Sequence, residues 1–181
     1  SSRWLTPLLK EIRIRPDVSL QFVSGDYLEF QIPHYQMSLA RLAVPESFAE
    51  VWDKLSIPNS WTQTEGSETS RTYSVAVAPN QSEPQELAFN VRFAPPPAGT
   101  QFLPGVGSSF LCGSQVGERL RFRGPAGDFR LVDSDHEKIL IGGGAGMAPL
   151  KSMAIHLLKN RGWQGKVRFW YGARNQQEIL Y

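Results

Sequence analysis

The sequence predicts an antiparallel β-domain, a barrel or a sandwich, over residues 1–132, followed by a strand–helix–strand unit over residues 133–181. Three observations predict this class. Short stretches before residue 132 alternate apolar and polar residues, which is the period of a half-buried strand. Turn sequences rich in glycine and proline separate these stretches. From about residue 136 an apolar run leads into a helical pattern and a second apolar run, as in a parallel βαβ unit.

Composition limits the classes of function open to the chain. Its 181 residues suffice for one ordinary domain or two small ones. The formal net charge of +2 comes from scattered basic residues, which argues against a nucleic acid partner. The single cysteine, Cys112, is interpreted as a core residue in a reducing compartment, and the histidines lack the spacing of a zinc site. No apolar run approaches the roughly 20 residues of a membrane span, so we expect a soluble chain without a metal site.

Five stretches in the first unit show strand alternation. Turn sequences such as RPD, SGD, PPPAG and GPAGD lie between them. Short strands at this spacing are typical of antiparallel barrels and sandwiches. The stretches are KEIRI (10–14), YLEFQI (27–32), RTYSVAVA (71–78), ELAFNVRF (86–93) and ERLRFRG (118–124).

Residues 34–69 fit neither pattern and are interpreted as an insertion between two strands, packed on the outside of the β-domain. Within it, PESFAEVWDKLSI predicts a short amphipathic helix with a proline at each side. An insertion of this length either faces a partner or fills a packing surface. The apolar residues of the predicted helix are Phe48, Val51, Trp52 and Leu55.

The second unit begins with KILIG (138–142), an apolar run that suits a buried parallel strand. A helix is predicted next, with one apolar face and an end at Gly162. The strand KVRFWYGA (166–173) follows. The predicted apolar face of the helix consists of Leu150, Met153, Ala154, Leu157 and Leu158.

A glycine-rich turn, GGGAGMAP (142–149), joins the first strand of this unit to its helix. Glycines permit a sharp turn and remove side chains that would keep a phosphate away from the helix N-terminus. Pro149 suits the first turn of the helix, where its missing N–H costs nothing. The pattern is not the G-x-G-x-x-G of a dinucleotide fingerprint, and no acidic residue follows at the ribose position. On the turn alone, nucleotide binding and a purely structural role both stay open.

The tetrapeptide RTYS begins one of the predicted strands. Alternation places Arg71 and Tyr73 on one face of that strand. Thr72 and Ser74 then lie on the other face. An arginine beside a phenol suits a phosphate with a stacking or hydrogen-bonding neighbour, although an ordinary exposed strand has the same pattern.

The stretch PGVGSSFL (104–111) predicts the start of a helix. Ser108 or Ser109 would cap it, and its first N–H groups could hold an anion. A plain capped helix is the structural alternative.

The order of these stretches resembles the ferredoxin reductase-like flavoproteins, and the likeness runs over nearly the whole chain. In chain order the motifs are RxYS, NVRF, GxxSS, GPxGxF, GGGxGxAP and YGAR. Within that superfamily the chain resembles in particular the F subunits of the bacterial Na+-translocating NADH:quinone oxidoreductases. The features that carry this likeness are VPESFAEVWDKL before RxYS, NVRFAPPP…PGVGSSF, and IGGGAGMAPLKS with FWYGARNQQEILY.

The resemblance implies a Greek-key antiparallel barrel that binds FAD, followed by the start of a truncated NAD(P)H-binding α/β domain. It implies that Arg71 contacts the FAD pyrophosphate and that Tyr73 lies against the isoalloxazine or ribityl chain. Ser74 would hydrogen-bond near the reactive N5 and is the implied catalytic residue. Other implied FAD contacts are Val91, Arg92, Gly105, Gly107, Ser108 and Ser109.

The resemblance also assigns the glycine-rich turn to NADH. Hydride would pass from nicotinamide C4 to flavin N5, and FAD would then pass electrons singly to a [2Fe–2S] centre, towards quinone. The sequence suits NADH and NADPH equally. The implied NADH contacts are Gly143, Gly144, Gly146, Met147, Pro149 and Arg174.

The chain departs from this family pattern at both ends. We expect the [2Fe–2S] centre only in an N-terminal domain that is missing here, because no four-cysteine pattern is present. The first barrel strand is expected to be missing or cut at SSRWLTP, and the second unit to stop at Tyr181 without its cysteine-glycine-proline motif. We therefore expect little or no turnover from this fragment, and an uncovered sheet face that packs on the barrel, dimerises or is poorly ordered.

The implied partners are NADH, a ferredoxin-type domain and the other subunits of a membrane complex. They place the chain on the cytoplasmic side of the bacterial inner membrane. Two other functions stay open at this point. One is the reductase component of a bacterial aromatic-ring oxygenase, and the other is a flavin- or nucleotide-binding module without catalysis.

Overall fold

The computed structural model describes residues 1–63, 69–79 and 85–181. Outside these ranges lie residues 80–84, between the predicted strands RTYSVAVA and ELAFNVRF, and residues 64–68 of the predicted insertion. The strands are β1 (Ser2–Thr6), β2 (Leu9–Ile14), β3 (Tyr27–Ile32), β4 (Tyr35–Ser38), β5 (Ser60–Gln63), β6 (Thr69–Ser74), β7 (Leu87–Arg92), β8 (Phe122–Ala126), β9 (Lys138–Gly143) and β10 (Val167–Gly172). The α-helices are α1 (Ala49–Asp53), α2 (Val106–Gly113) and α3 (Met147–Ile155).

Two three-stranded antiparallel sheets form the β-domain, in the orders β1-β2-β7 and β6-β3-β8. A single bridge between Val75 and Phe89 brings the end of β6 beside β7. Across both sheets the order is therefore β1-β2-β7-β6-β3-β8. Within the described ranges β8 does not pair with β1, so the predicted barrel is observed as two antiparallel sheets that enclose one core.

A strand is present at the start of the chain, so the first strand is not missing; that it is cut stays a prediction. β1 pairs with β2 from Ser2 opposite Ile12 to Thr6 opposite Leu9. A tertiary contact holds it in place, because the Trp4 ring packs edge-on against Trp52 at 5.4 Å. The stretch SSRWLTP alternates weakly, so periodicity alone did not identify it as a strand.

The core lies between the two sheets and is rich in phenylalanine. β3 alternates as predicted: its Leu28, Phe30 and Ile32 point inward and are almost fully buried. The rings of Phe30 and Phe89 meet edge-to-face at 5.1 Å and join the two sheets. Burying each such side chain stabilises the fold by roughly 1.5–3 kcal/mol, which is enough to set the register of the strands.

The insertion forms the hairpin β4–β5 with short helical turns between its strands. The predicted helix is present as a 3-10 turn, Glu46–Phe48, that leads into α1. Trp52 of α1 anchors it, because its Nε1 donates to the Pro7 carbonyl at 2.7 Å and its ring lies 4.9 Å from Phe93. The insertion is therefore bound to the β1–β2 hairpin through its tryptophan.

A buried lysine makes a second link to the insertion. Lys10 of β2 donates to the carbonyl of Leu42 at 3.1 Å and to that of Cys112 at 2.7 Å. Burial lowers the pKa of Lys10. The ammonium thus ties the insertion and the C-terminal end of α2 to the same strand.

The second unit is the predicted parallel βαβ. β9 and β10 pair from Lys138 opposite Val167 to Gly143 opposite Gly172, with α3 between them in sequence. Gly162 ends the helical segment with a φ of +59°. Leu158 was predicted in the apolar face but is 56% exposed, because it lies in a π-turn (His156–Asn160) at the edge of that face.

The βαβ unit packs on the outer face of the β1–β2–β7 sheet. Its buried residues form one cluster with a residue of β2, so the two units share apolar packing. The outer face of β9 and β10 keeps Ile139, Ile141 and Trp170 exposed. In the described part of the chain, no helix has the length and apolar character needed to cross a bilayer. The shared cluster is Leu9, Leu140, Met147, Leu150, Met153 and Leu180.

Candidate functional site

Arg71 and Tyr73 lie beside the first turn of α2, as strand alternation predicts. They occupy the same face of β6, opposite Phe30 and Leu28 of β3. At Gly107 of α2, an added Cβ would lie 2.6 Å from the Cγ of Arg71 and 3.4 Å from the Oη of Tyr73. Only glycine therefore lets the helix come so close to the arginine. We call Arg71, Tyr73 and the first turn of α2 the anion site.

The first turn of α2 carries main-chain donors into the anion site. The first helical bond runs from the N–H of Ser109 to the carbonyl of Gly105, at 2.9 Å. The N–H groups of Val106, Gly107 and Ser108 precede that bond, so the helix itself supplies no acceptor for them. Together with the helix dipole and the guanidinium of Arg71, they favour a negatively charged group.

The predicted serine cap is wrong. The helix begins after Gly105, and no side chain caps it. The hydroxyl of Ser108 accepts from the N–H of Ala94 at 3.1 Å and donates to the carbonyl of Gly105 at 3.0 Å. Ser109 is fully buried. The Ser108 hydroxyl therefore stabilises the turn that presents the main-chain donors, and the Ser109 hydroxyl is buried without a hydrogen-bond partner among the described residues.

Tyr73 offers a ring and a neutral phenol. Its ring meets Phe30 edge-on at 6.0 Å. Burial raises the pKa of Tyr73 to about 12, with a further contribution from Cys112 and an opposing one from Arg71. The hydroxyl therefore stays protonated at neutral pH and can donate a hydrogen bond. Ser74, the last residue of β6, lies half-buried on the opposite face of the strand.

The glycine turn, residues 142–146, leads from β9 through a 3-10 turn into α3. Packing explains two of its glycines. A Cβ on Gly142 would lie 2.6 Å from Leu150, and one on Gly143 would lie 2.5 Å from the carbonyl of Gly172. Gly144 has a φ of +54°, and the space beside Gly146 is empty to 4 Å. The turn thus leaves its outer side open at the helix N-terminus.

Met147 and Pro149 lie beneath this turn. Met147 is fully buried, and Pro149, the third residue of α3, is also buried. Their side chains therefore belong to the core. A ligand on the turn would meet the main chain of Met147 and not its thioether.

Contacts between α3 and the β-domain bring the glycine turn close to the strands of the anion site. The 3-10 turn Gly144–Gly146 contacts β7. Ala148 of α3 packs against Ala76, two residues after Ser74, and Ser152 donates to the Val77 carbonyl at 2.7 Å. β7 presents mainly its backbone here, because the Val91 side chain is fully buried.

A carboxylate that the sequence analysis did not identify joins the two predicted arginines. Arg174 Nε donates to Glu178 Oε2 at 2.9 Å, and Arg92 Nη1 lies 3.9 Å from the same oxygen. The hydrogen bond from Arg174 lowers the pKa of Glu178, with a smaller contribution from Arg92. The four-residue spacing of Arg174 and Glu178 was the only sequence signal for this cluster.

Comparison with known families identifies the second unit. Residues 140–181 match the family described as the oxidoreductase NAD-binding domain. Within residues 1–63, 69–79 and 85–181, no group of three or more His, Cys, Asp or Glu side chains is arranged to hold a metal ion.

Similar proteins are found along almost the whole chain. The F subunit of the Na(+)-translocating NADH-quinone reductase of Serratia proteamaculans is 35% identical over 176 residues, which is 96% of this chain and 42% of that protein. The F subunit of the same enzyme in Pseudoalteromonas haloplanktis is 34% identical over 96% of this chain and 57% of its own length. The chain thus spans about half the length of these relatives.

Solved structures share the fold at lower identity. The FAD/NAD-binding domain of a nitric oxide dioxygenase from Vibrio cholerae is 20% identical, with a TM-score of 0.69 over 99% of this chain and 62% of that one. Ferredoxin-NADP+ reductase from Plasmodium falciparum is 18% identical, with a TM-score of 0.65 over 96% of this chain and 56% of that one.

The predicted resemblance is therefore confirmed. The motif order, the two antiparallel sheets followed by a βαβ unit, and the similarity along the sequence all agree. Over 96% of its length the chain is a homologue of the F subunits of the Na(+)-translocating NADH-quinone reductases, and its second unit matches the oxidoreductase NAD-binding domain.

Proposed function

We propose that this chain is the FAD- and NADH-binding part of a flavoprotein oxidoreductase. The observation that carries the proposal is that the anion site lies on β6 and that the glycine turn contacts β7, the neighbour of β6. When bound, FAD would accept a hydride from NADH and then release electrons one at a time. We also propose that the two sheets are the two parts of a Greek-key barrel, with residues 1–132 as the FAD domain and 133–181 as the NADH domain.

The anion site fits the pyrophosphate of FAD. Arg71 provides the positive charge, and Gly107 and Ser108 provide main-chain donors in the first turn of α2. Any side chain at position 107 would fill the space beside Arg71, so only glycine lets a ligand approach the backbone closely here. The hydrogen bond from the Ser109 N–H to the Gly105 carbonyl closes this turn. Tyr73 would hold the flavin ring or its ribityl chain with an apolar face and a neutral donor.

Ser74 is proposed as the residue that donates a hydrogen bond near the flavin N5. It ends β6 next to the segment on which α3 packs, so it lies on the side of the strand that the NADH domain approaches. Main-chain groups around Val91 and Arg92 would position the ring beside it. These residues orient the reacting atoms, which is the main contribution that a protein makes to hydride transfer.

The glycine turn is proposed to bind NADH. Gly143, Gly144 and Gly146 leave the N-terminal end of α3 open to a phosphate, and the main chain at Met147 completes the helix start. Pro149 stiffens the first turn from within the core. Arg174 would reach the nucleotide from the end of β10.

The names of the relatives support NADH as the donor, a quinone as the acceptor and Na+ translocation for the whole enzyme. We propose that electrons pass to a [2Fe–2S] centre of a ferredoxin-type domain and then towards quinone, in a membrane complex that translocates Na+. The chain would lie on the cytoplasmic side of a bacterial inner membrane. We propose that turnover by this chain alone is small.

The test is a visible absorption spectrum of the purified chain titrated with FAD. A saturable flavin spectrum that is weakened by Arg71→Ala but not by Arg168→Ala, an exposed arginine of β10, supports the anion site. Anaerobic addition of NADH then tests the second site. Bleaching of the bound flavin that slows in Ser74→Ala, and not in the neighbouring Thr72→Ala, supports hydride transfer. No flavin binding with FAD in excess would refute the proposal.

A further inference from the structure

A groove of about 1010 Å³ lies between the two ends of the sheet order. It is lined by Ser2 of β1 on one side and by Phe122 and Arg123 of β8 on the other. In the part of the chain that the structure describes, β1 pairs only with β2 and β8 only with β3. An unpaired strand edge therefore borders the groove at each side. None of its lining residues belongs to the anion site or the glycine turn.

Three arginines form a row along this groove. Arg119, Arg121 and Arg123 line it and are exposed, while Leu120 and Phe122 between them pack against the core. In an extended segment such alternate residues share a face and are about 6.7 Å apart. Among the described residues, the three guanidinium groups have neither an ion-pair nor a hydrogen-bond partner.

The acidic residues of the groove are mostly paired with other arginines. Glu86 is 3.0 Å from Arg13, and Glu118 is 2.5 Å from Arg41. Asp17 is the remaining carboxylate in the lining. The row of three arginines is therefore only partly neutralised, and the groove carries an excess of positive charge on one wall.

The floor of the groove is apolar. Ile12, Ile14 and Leu20 contribute to it, and all three pack with the core of the β-domain. Val18 and Val116 lie at the rim and are largely exposed, at 69% and 85%. The groove thus combines unpaired backbone edges, an apolar floor and a basic wall.

We propose that this groove binds an extended, acidic segment of a partner protein, which adds as a β-strand along β8. Backbone hydrogen bonds to the free edge would fix the segment in place. Its alternate acidic side chains would meet Arg119, Arg121 and Arg123, and the intervening apolar side chains would cover the floor. The recognised pattern is an acidic residue at every second position with apolar residues between them.

The lining argues for a polypeptide and against a nucleic acid. Single-stranded nucleic acids are held by exposed aromatic faces in a basic channel. The described lining contains no lysine, tyrosine or tryptophan, and its phenylalanine, Phe122, is half-buried in the core. The free strand edges, in contrast, match the hydrogen-bonding needs of an extended peptide.

The test uses the whole chain and a fluorescein-labelled peptide of alternating glutamate and valine, followed by fluorescence anisotropy. We expect saturable binding that weakens at least about tenfold in the triple variant Arg119→Gln, Arg121→Gln, Arg123→Gln and at high salt. The control triple variant Lys54→Gln, Lys159→Gln, Arg161→Gln removes the same charge elsewhere and should leave the affinity unchanged. A peptide N-methylated at alternate amides should bind weakly, because it cannot complete the ladder.

Three results would overturn the proposal. The first is absence of peptide binding, and the second is equal affinity in the two triple variants. The third is equally tight binding of a thymidine oligonucleotide with the same dependence on the three arginines, which would show a general polyanion site. The FAD titration is a separate measurement, so failure here leaves the proposed function untouched.

Discussion

Gly107→Ala tests the anion site with the smallest possible change. Alanine favours a helix over glycine by about 1 kcal/mol, so local propensity predicts a more stable α2. The tertiary contact predicts the opposite for ligand binding. The new Cβ would lie 2.6 Å from the Cγ of Arg71, whereas carbon atoms pack at about 3.5–4.0 Å. Arg71 must therefore move by about 1 Å or rotate out of the site.

The size of the effect follows from what Arg71 loses. A hydrogen bond to a charged group contributes about 1.5–3 kcal/mol, and overpacking costs about 1–3 kcal/mol. If either term falls fully on binding, the Kd for FAD rises about 5- to 150-fold. The unfolding free energy of the flavin-free chain should change by much less, because Arg71 is exposed and can rotate.

The assay is a fluorescence titration of FAD into the wild type, Gly107→Ala and the control Gly172→Ala. An added Cβ at Gly172 would have its nearest neighbour at 3.8 Å, an ordinary contact, so this control should keep wild-type affinity. Denaturant unfolding of each flavin-free chain separates lost binding from lost folding. Wild-type affinity in Gly107→Ala would refute the reasoning, because it would show that FAD does not use the space between α2 and Arg71.

Three further predictions concern other charged or reactive groups. Glu11 is 1% exposed; burial would raise its pKa, but the hydrogen bond from Arg13 and nearby cations lower it. The ionised Glu11 carboxylate therefore stabilises the fold fully at pH values above the ordinary pKa of a carboxyl group, and this stabilisation is lost as the pH falls through the lowered pKa. Glu11→Gln should lower the unfolding free energy by about 1.5–3 kcal/mol at neutral pH and make it less dependent on pH in the acid range. A wild-type acid profile in that variant would contradict this. Burial raises the pKa of Cys112 to about 12, so the native thiol should not react with Ellman's reagent at neutral pH and should react fully after unfolding in guanidinium; rapid native labelling would count against it. Glu178→Gln removes the carboxylate that Arg174 holds, so NADPH affinity should rise about fivefold with NADH affinity unchanged; an equal change for both nucleotides would exclude a role in discrimination.

The alternation of apolar and polar residues predicted a strand correctly where the inward-facing residues meet the same core along the whole strand. β3 was predicted at its observed bounds, because Leu28, Phe30 and Ile32 face the same core along the strand. The start of β8 was predicted too early. Residues 118–121 alternate as a strand does, but β3 pairs with them only from the end of that stretch, through the bond from Gln31 to the Arg121 carbonyl. Alternation reports which side chains are buried and not which backbone groups find a partner.

The motif order was enough to place the chain in its family, because it combines several weak signals along one sequence. It could not assign atoms to roles. Ser108 looked like a cap in sequence, yet its hydroxyl bonds Ala94, which is distant in the chain and adjacent in the fold. Met147 looked like part of a ligand site, yet it fills the core below the turn.

The sequence by itself determined the class of each unit, since strand and helix periods and glycine turns depend on neighbours within a few residues. The tertiary structure decided what lies next to what. It showed that the absence of a side chain at Gly107 leaves room for Arg71 beside α2. It also showed that Glu178 contacts both Arg92 and Arg174, and that a row of three arginines borders an open groove. The partners in these contacts are mostly separated by tens of residues or belong to different strands, and only the packing of the core brings them together.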